Sequence, residues 1–306
     1  MLSSLDPSSE RFLVYLRQIQ SANVTAQEQV SSGLRVNEAS DDPDSISDIL
    51  QLQTSILHTQ QISTNLSRVK TETDTAELAL ENAVALIEDA IVIASEGATS
   101  TVTAETRSAL AIEAKGILEQ LVSLSQTEVE DRYVFSGDSD STAAYVLNLD
   151  SDTGVDRQFT SDATREVELP NGSTCTVSKT AQEIFDLRNS DDTVSDENVF
   201  AAVNSLRVAL ENNDETAIGE ALTSLRTAGG YLNQMLAYYG GYQNTIDNAI
   251  DNASELQVSL KAQLSTLRDA DATAAALELD NGISFEEAAL QAKSMTTHDN
   301  LFNYLG

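Results

Sequence analysis

The sequence predicts a mainly α-helical protein with a small inserted β-rich domain, in which the N- and C-terminal segments form an elongated antiparallel helical bundle or coiled-coil rod. Apolar residues recur at helical spacing across both ends of the 306-residue chain. The composition favours helices, because Ala, Leu and Glu are abundant while there are three prolines and no tryptophan. Runs of alternating, β-favouring residues occupy only a middle segment, from Tyr133 to about Lys179.

The first predicted helix is amphipathic and ends at Ser31-Ser32-Gly33, because glycine is a common residue just past the end of a helix. A loop is expected around Asp41-Asp42-Pro43. After it, Asp44 or Ser45 is expected to cap a second helix. The apolar side of the first helix comprises Phe12, Leu16, Ile19, Ala26 and Val30.

The second predicted helix carries a heptad seam, in which apolar positions alternate at spacings of four and three for about four repeats. Such a seam requires partner helices. Gly97 and the Ser/Thr-rich run 99–103 end this helix, and a third, antiparallel helix completes a helical hairpin. The seam comprises Ile62, Leu66, Val69, Thr73, Ala76, Leu80, Ala83, Ile87 and Ala90, and the third helix contributes Leu110, Ala114, Ile117, Leu121 and Leu124.

The middle segment predicts short strands separated by turns. The β-favouring runs are Arg132 to Phe135, Arg157 to Thr160, and Thr174 to Val177, the last of which makes the lone Cys175 a strand residue. Turns bearing Asp and Gly are expected at 150–154 and 170–172. We therefore expect a small β-rich domain inserted between helices.

A long helix is predicted from about Glu215 to Arg268. At 1.5 Å per residue it would be about 80 Å long, which implies a rod. Gly229-Gly230 and Gly240-Gly241 lie within it, although each glycine costs about 1 kcal/mol relative to alanine in a helix. They indicate a close helix contact, a bend, or a loop near Tyr238 to Tyr242.

The composition excludes several classes of partner. Forty-nine acidic and seventeen basic side chains give a net charge of -32, which would repel nucleic acid. No stretch is apolar enough to cross a bilayer, so we expect no membrane insertion. The N-terminus lacks the pattern of a cleaved signal peptide, so export would need a route that reads uncleaved residues.

The chemistry-bearing residues predict neither catalysis nor a cofactor. A single cysteine allows no internal disulfide and no multi-cysteine metal site. Asp150, Asp152 and Asp156 imitate part of a calcium loop, but the turn glycine and the final glutamate are misplaced, so a solvated acidic turn is expected. Because no phosphate loop, nucleophile elbow or Cys-His arrangement is present, the protein is expected not to be an enzyme.

Both ends of the chain carry long, ordered motifs. The run from Gln29 to Asn37, followed by Ser40-Asp41-Asp42-Pro43, resembles the N-terminal signature of the flagellin superfamily. Arg132 to Gly137, in which an aromatic-Phe-small-Gly strand opens the middle domain, resembles the hook-filament junction proteins of that superfamily. Leu267 to Ala272 resembles the flagellin C-terminal signature. Asn300 to Leu305 resembles the closing residues of junction proteins.

The resemblance selects the following residues as the assembly or family motif: Ser32, Gly33, Arg35, Asn37, Asp41, Asp42, Pro43, Asn65, Phe135, Gly137, Arg268, Asp269, Asp271, Leu301, Tyr304 and Leu305. One segment departs from the junction pattern, because Arg268-Asp269-Ala270-Asp271 is more typical of flagellins. The ending, the Tyr133 to Gly137 strand and Pro43 favour a junction protein. A flagellin subunit of the filament itself is the alternative.

The resemblance implies a secreted structural protein of the bacterial flagellum. It would join the hook, through another hook-associated protein, to the flagellin filament, and would form a homo-oligomeric ring through its terminal helices. It would be exported unfolded through the flagellar type III channel without a cleaved signal peptide. A cytoplasmic flagellar export chaperone would bind its C-terminal segment. Its final location would be extracellular, in the flagellum.

These expectations divide the chain into five parts. Residues 1–44 and 271–306 would be terminal assembly segments that are disordered in the monomer and order on assembly. Residues 45–131 would form the helical hairpin of the rod, 132–192 the inserted β-rich domain, and 193–270 the long C-terminal rod helices. The last assembly helix is expected at roughly Ser284 to Phe302.

Two functions from other classes compete with this interpretation. A coiled-coil signalling rod resembling the cytoplasmic part of a receptor would need a transmembrane anchor and an uninterrupted hairpin, and the sequence has neither. An enzyme would need its activity in the unmatched middle segment. Activity retained by an isolated 133–179 fragment would support it.

Overall fold

The structure is a computed structural model that describes residues 7–160, 165–177 and 179–296. The chain divides into two compact units, a terminal unit (Met1–His58 with Gln257–Gly306) and a central unit (Thr59–Leu256). The predicted class, mainly α with an inserted β-rich part, is confirmed for the described residues. The helices are α1 (Pro7–Ser32), α2 (Ile46–Gly97), α3 (Ala104–Ser125), α4 (Ala181–Ile184), α5 (Val199–Glu211), α6 (Glu215–Arg268) and α7 (Ala272–Thr296). The strands are β1 (Glu128–Val129), β2 (Arg132–Tyr133), β3 (Tyr145–Leu147), β4 (Val155–Arg157), β5 (Glu166–Glu168) and β6 (Thr174–Thr176).

In the central unit, α2 and α6 run antiparallel. Lys70 Nζ lies 2.6 Å from an oxygen of Asp247, and further along α2 Glu77 accepts a hydrogen bond from Gln243. Every residue of the predicted heptad seam is buried. The seam of α2 is therefore core, as predicted. From Ala76 to Ala90 it packs with the apolar faces of α3, α5 and α6, and from Ile62 to Val69 it packs in a second cluster with α6.

Both glycine pairs lie inside one uninterrupted helix, so the alternative of a loop near Tyr238 to Tyr242 is wrong. A Cβ at Gly229 would lie 3.2 Å from Cγ2 of Ile87, which is a tight contact between α6 and α2. Gly230 faces open space instead, with no atom within 4 Å of the position of a Cβ. A close helix contact therefore explains Gly229 but not Gly230.

Replacing Gly230 with alanine is expected to stabilise the central unit by about 0.5–1 kcal/mol, because alanine forms helices better and its Cβ meets no neighbour. The matched control is Gly229→Ala, in which contact with Ile87 should cancel the gain. Denaturant unfolding followed by far-UV circular dichroism measures both. Equal gains would contradict the close approach of α2 and α6 at Gly229.

A buried arginine on α3 holds one end of the central helices. Arg107 is 5% exposed and donates to the carbonyl oxygens of Gly97, at 2.8 Å, and Thr99, at 3.2 Å. It also donates to the side-chain oxygen of Asn213, at 2.8 Å. One guanidinium group therefore ties the α2–α3 turn to the α5–α6 turn, and it satisfies carbonyl groups that a helix leaves unpaired at its C-terminus.

In its described residues, the β-rich part contains three separate antiparallel pairs, β1–β2, β3–β4 and β5–β6. The strands are shorter than predicted. The run Arg132 to Phe135 was expected to be one strand, but only Arg132 and Tyr133 pair with β1, while Val134 and Phe135 turn into the core. Burial of Phe135 therefore overrides its local preference for extended pairing.

An aromatic cluster forms the core beneath these strands. Phe135 and Phe185 make an edge contact with ring centroids 5.7 Å apart, and Phe185 stacks on Phe200 at the same distance. Tyr145 joins the cluster through Phe200, at 5.3 Å. All four rings are at most 1% exposed. Such pairs contribute about 0.5–1.5 kcal/mol each beyond the area that they bury.

A fully buried carboxylate organises the polar side of this core. Asp186 is 0% exposed and accepts hydrogen bonds from the hydroxyl of Tyr145, at 3.0 Å, and from the amide of Asn198, at 2.7 Å. Arg188 Nε donates to the same carboxylate at 3.0 Å. The carboxylate is thus paired and hydrogen-bonded, which is the condition under which a buried charge is tolerated. It joins β3, the segment after α4, and the start of α5.

Alkaline pH is expected to lower the free energy of unfolding of the central unit, because the buried phenol of Tyr145 is costly to ionise in the folded state. Burial and the neighbouring Asp186 carboxylate raise the pKa of this phenol well above its usual value. A raised pKa in the folded state means that stability is complete below about pH 10 and falls as the pH rises further. Tyr145→Phe should reduce that fall by up to about 1.4 kcal/mol per pH unit.

Denaturant unfolding at pH 8 and at pH 11 measures this effect. Tyr15→Phe, which removes a 64% exposed tyrosine, is the control. At pH 8 the Tyr145→Phe variant should be less stable by about 1 kcal/mol, because it loses one hydrogen bond to Asp186. An unchanged alkaline loss in Tyr145→Phe would contradict the assignment.

The β5–β6 hairpin packs across α2 and α6 in a second apolar cluster. Val167 and Val177 of the hairpin region meet Leu66 and Ile246 of the two helices. Cys175 lies in β6, as predicted, with its sulfur 3.2 Å from the hydroxyl of Tyr242. The hairpin therefore closes the apolar gap between the helices that the main core leaves.

Candidate assembly surface

The two sequence signatures of the terminal unit come together in one backbone crossing. The amides of Arg35 and Val36 donate to the carbonyl oxygen of Arg268, at 2.7 and 3.2 Å. The amide of Ala270 donates to the carbonyl oxygen of Gly33, at 2.9 Å. The segment after α1 and the segment after α6 thus form a short antiparallel bridge.

Gly33 ends α1 and turns the chain into this bridge. Its φ of +72° lies in the left-handed region that glycine adopts without strain. Its amide donates to the carbonyl oxygen of Gln29, at 2.9 Å. The hydroxyl of Ser32 donates to the carbonyl of Glu28, at 2.7 Å, and accepts from the amide of Leu34, at 3.1 Å. These contacts satisfy the last groups of the helix.

Arg35 clamps the crossing from the side. Its guanidinium donates to the carbonyl of Leu267 and lies 2.9 Å from a carboxylate oxygen of Asp42. Hydrogen bonds from the Ser45 side chain, from Arg35 and from the Ser45 amide lower the pKa of Asp42. The planar fork of arginine suits this double contact, which a lysine could not reproduce.

The loop between Arg35 and α2 is held by two neighbouring aspartates. Asp41 accepts from the amides of Asn37, at 2.9 Å, and Glu38, at 2.8 Å. Asp42 accepts from the amide of Ser45, at 3.2 Å, with Pro43 exposed between them. Of the two predicted caps, Ser45 immediately precedes α2, and its carbonyl accepts from Ile49. The carboxylates therefore fix the turn that starts α2.

Asp271 provides the corresponding start of α7. Its carboxylate accepts from the amides of Thr273, at 2.9 Å, and Ala274, at 3.1 Å, so it caps the helix. Asp269 lies in the bridge opposite Leu34 and accepts from Arg268 Nε at 3.3 Å. Nearby, Val36, Ile49 and Leu264 form a small apolar cluster. The C-terminal signature thus joins one helix end to the next helix start.

The terminal helices α1 and α7 pack antiparallel. Glu286 accepts from Gln20, at 2.8 Å, and from Asn23, at 3.2 Å, and Lys293 donates to Ser9 at 3.1 Å. At the closest point, the oxygen of Asn23 occupies the space that a Cβ at Gly282 would need. No motif in the sequence predicts this contact between Asn23 and Gly282. A glycine in the middle of a helix was its one sequence signal.

This pair buries very little of its own surface. Among its described side chains, Ala26 of α1 and Ala275 of α7 are the buried ones. The predicted apolar side of α1 is confirmed in part, since Phe12, Leu16 and Ile19 are partly buried and Ala26 is buried, whereas Val30 is exposed. Large apolar side chains of both helices remain exposed, namely Leu13, Val14, Tyr15, Val24, Val30, Leu277, Ile283, Phe285, Leu290 and Met295. A helix that is apolar on several sides is normally enclosed by neighbours.

Three of the motif residues that the structure describes belong to the central unit. Asn65 is exposed on α2 and accepts from Gln61 at 2.9 Å, while Phe135 is in the central core and Gly137 is in the turn after β2. These three residues take part in the structure of the central unit, whereas the joined signatures belong to the terminal unit. Leu301, Tyr304 and Leu305 lie outside the described residues.

Neither metal-binding groups nor membrane spans occur in the part of the chain that the structure describes. There, no group of three or more His, Cys, Asp or Glu side chains is arranged to hold a metal ion. Within the predicted acidic turn, Asn148 donates to Asp156 at 2.9 Å. Also within the described residues, no helix combines the length and apolar character that crossing a bilayer requires.

Comparison with known proteins agrees with this architecture. Residues 8–140 match the family description "Bacterial flagellin N-terminal helical region", and residues 216–305 match "Bacterial flagellin C-terminal helical region". Flagellar hook-associated protein 3 of Salmonella typhimurium is 26% identical over 292 residues, covering 89% of this chain and 88% of that protein. The protein of the same name from Escherichia coli is 26% identical over 258 residues, covering 80% of this chain and 74% of its own length.

A solved structure has the same fold. A flagellar hook-associated protein from Vibrio parahaemolyticus superposes with a TM-score of 0.65 at 23% sequence identity, covering 75% of this chain and all of that one. The helices at both ends, the joined terminal signatures and the inserted strands define a structural protein of the flagellin-like helical class. The two matched regions together cover most of the sequence. The chain belongs to the bacterial flagellin family.

Proposed function

We propose that this protein is a non-enzymatic subunit of the bacterial flagellum that joins the hook, through another hook-associated protein, to the flagellin filament. Copies of the chain form a ring through their terminal helices. The observation that carries the proposal is the exposed apolar surface of α1 and α7. Each fully buried Val, Leu, Ile, Phe or Met side chain stabilises by about 1.5–3 kcal/mol, so enclosing this surface gives assembly its driving force.

The 26% identity to hook-associated protein 3 over most of the chain supports the junction role over that of a filament flagellin. The motif from Tyr133 to Gly137 supports it as well. The segment Arg268 to Asp271 favours a flagellin subunit of the filament, which is the second candidate.

Localisation tests this proposal and separates the two candidates. Immunogold labelling of intact cells with an antibody to this protein is scored by position along the flagellum. One cluster of gold where the hook meets the filament is the expected result. Label along the whole filament would make the protein a flagellin, and an unlabelled flagellum would overturn the proposal.

In the predicted terminal segments, 1–44 and 271–306, the described residues 7–44 and 271–296 are disordered in the free monomer and become ordered when neighbouring copies enclose them. The small burial between α1 and α7 supports this step, because burial of two alanines does not offset the ordering of two long helices. Limited proteolysis of the monomer should remove both ends and spare the central unit. Intact termini under those conditions would contradict the coupled ordering.

The proposed function also requires export of the protein from the cytoplasm to the flagellum. The chain passes unfolded through the flagellar type III channel, which recognises its uncleaved N-terminal residues. Its final location is extracellular, in the flagellum. A cytoplasmic export chaperone holds the C-terminal segment before export. The apolar character of α7 supports this partner, because a cell must shield exposed apolar surface until assembly. Co-purification of a small cytoplasmic protein that is lost on deletion of 271–306 tests this step.

A further inference from the structure

One face of α6 in the central unit lacks acidic residues. Between Glu220 and Asp247 the helix contains no Asp or Glu, although the chain has a net charge of -32. The side of this stretch opposite the buried residues is exposed and small or polar. We call it the acid-free face, and its residues are Thr223, Gly230, Ala237 and Gly241.

An exposed arginine lies at the edge of the acid-free face. Arg226 forms no ion pair or hydrogen bond with any described residue. Each other Lys or Arg of the central unit lies within ion-pair distance of a carboxylate. Arg226 is thus a positive charge on an acid-free surface that is available to pair with a carboxylate of another molecule.

The outer side of α2 is complementary to the acid-free face, because it carries exposed apolar side chains bordered by glutamates. Leu78, Ala85 and Val92 follow at seven-residue spacing on the side opposite the buried seam, and we call them the apolar stripe. Leu78 is 58% exposed and Val92 is 65% exposed. Glu81 and Glu88, both exposed, border the stripe at the same spacing.

We propose that the acid-free face of one copy packs against the apolar stripe of the next copy, with Arg226 pairing with Glu81 or Glu88. This inference rests on the proposed function, in which copies assemble as a ring. Strongly acidic copies repel one another, so they approach most closely where one partner carries no acidic group. Glycine and alanine admit a neighbouring helix closely, and leucine and valine fill the space.

The proposed contact is heterologous, because it joins two different surfaces of the same chain. Such contacts leave one of each surface free after every addition, so they generate closed rings or open helical arrays. α3 offers a weaker alternative surface. Its Ile112 is 71% exposed but stands alone beside Glu113, without the repeated spacing of the apolar stripe. That position therefore serves as the control.

Cysteine crosslinking in assembled flagella tests the contact. The full-length chain carries Cys175→Ser with Gly230→Cys and Ala85→Cys, and isolated flagella are treated with a flexible bismaleimide that bridges neighbouring helices. Covalent ladders beyond the dimer are expected, since every copy presents both surfaces. Either cysteine alone should give no ladder. No ladder from the pair, or an equal ladder from Gly230→Cys with Ile112→Cys, would overturn the proposal.

Charge reversal provides an independent measurement. Arg226→Glu should lower incorporation into flagella by about tenfold, because it places like charges at the contact. Adding Glu81→Arg and Glu88→Arg to the same chain should restore it, and failure to restore would contradict the pairing. Absence of the unsubstituted protein from flagella refutes the proposed function, whereas presence without crosslinking refutes only this surface.

Discussion

Replacing Asp186 with alanine is expected to destabilise the central unit by about 3–5 kcal/mol, which is a large share of the roughly 5–15 kcal/mol by which a typical domain is stable. The carboxylate is fully buried, and its loss leaves the Tyr145 hydroxyl without its acceptor. It also removes one of the acceptors of Asn198 and the Nε acceptor of Arg188. Leaving buried donors unpaired costs more than the hydrogen bonds themselves contribute. Denaturant unfolding monitored by far-UV circular dichroism measures the change.

Two further variants make this prediction specific. Asp186→Asn keeps the shape and one acceptor oxygen, so its loss of stability should be distinctly smaller. Asp192→Asn is the surface control, because this carboxylate contacts Arg157 and Arg188 at a side chain that is 59% exposed. Its effect should be small, since exposed ion pairs contribute little. If Asp186→Ala were as mild as Asp192→Asn, the buried network would not stabilise the fold as described.

Phe285→Asp on α7 is expected to reduce incorporation into the flagellum by at least about tenfold, because burying Phe stabilises by about 1.5–3 kcal/mol and a buried unpaired charge is costly. Phe285 is 63% exposed, so the substitution should leave the unfolding of the central unit unchanged. The measurement is the amount of protein in isolated flagella relative to the amount secreted into the medium.

Thr273→Asp provides the matched control for this effect. It adds the same charge to the exposed first turn of α7, where negative charge is favourable near a helix N-terminus. We expect nearly normal incorporation. Equal loss in both variants would indicate a general effect of charge, and normal incorporation of Phe285→Asp would show that this side of α7 is not enclosed on assembly.

The long helices could be predicted from the sequence because helical periodicity is a local property. The expected helix from Glu215 to Arg268 agrees with α6, and the predicted end of α2 at Gly97 agrees as well. The predicted strand from Arg132 to Phe135 is correct only for its first half, Arg132 and Tyr133. Its alternating pattern fits a strand, but contact with Phe185, far along the chain, draws Phe135 into the core. Such a contact leaves no local signal.

At the candidate assembly surface, too, the sequence identified the signature residues but did not predict which distant residues they contact. The sequence identified Gly33, Arg35 and Asp42 near one end and Arg268 and Asp271 near the other. It gave no reason for Arg35 to contact the carbonyl of Leu267, which is 232 residues away. The α1–α7 contact of Asn23 with Gly282 was also missed, since one small residue in a helix fits many environments.

By itself the sequence determined the helical class, the heptad seam of α2, the position of the inserted strands and the resemblance to the flagellin family. Each of these features can be predicted from periodicity, composition or the order of motifs along the chain, without knowing which distant residues are in contact. Tertiary structure alone decided that the two signatures form one bridge, that Asp186 holds the aromatic core, and that the terminal helices leave apolar side chains exposed. These features depend on which distant residues meet, and packing of the whole chain settles that choice.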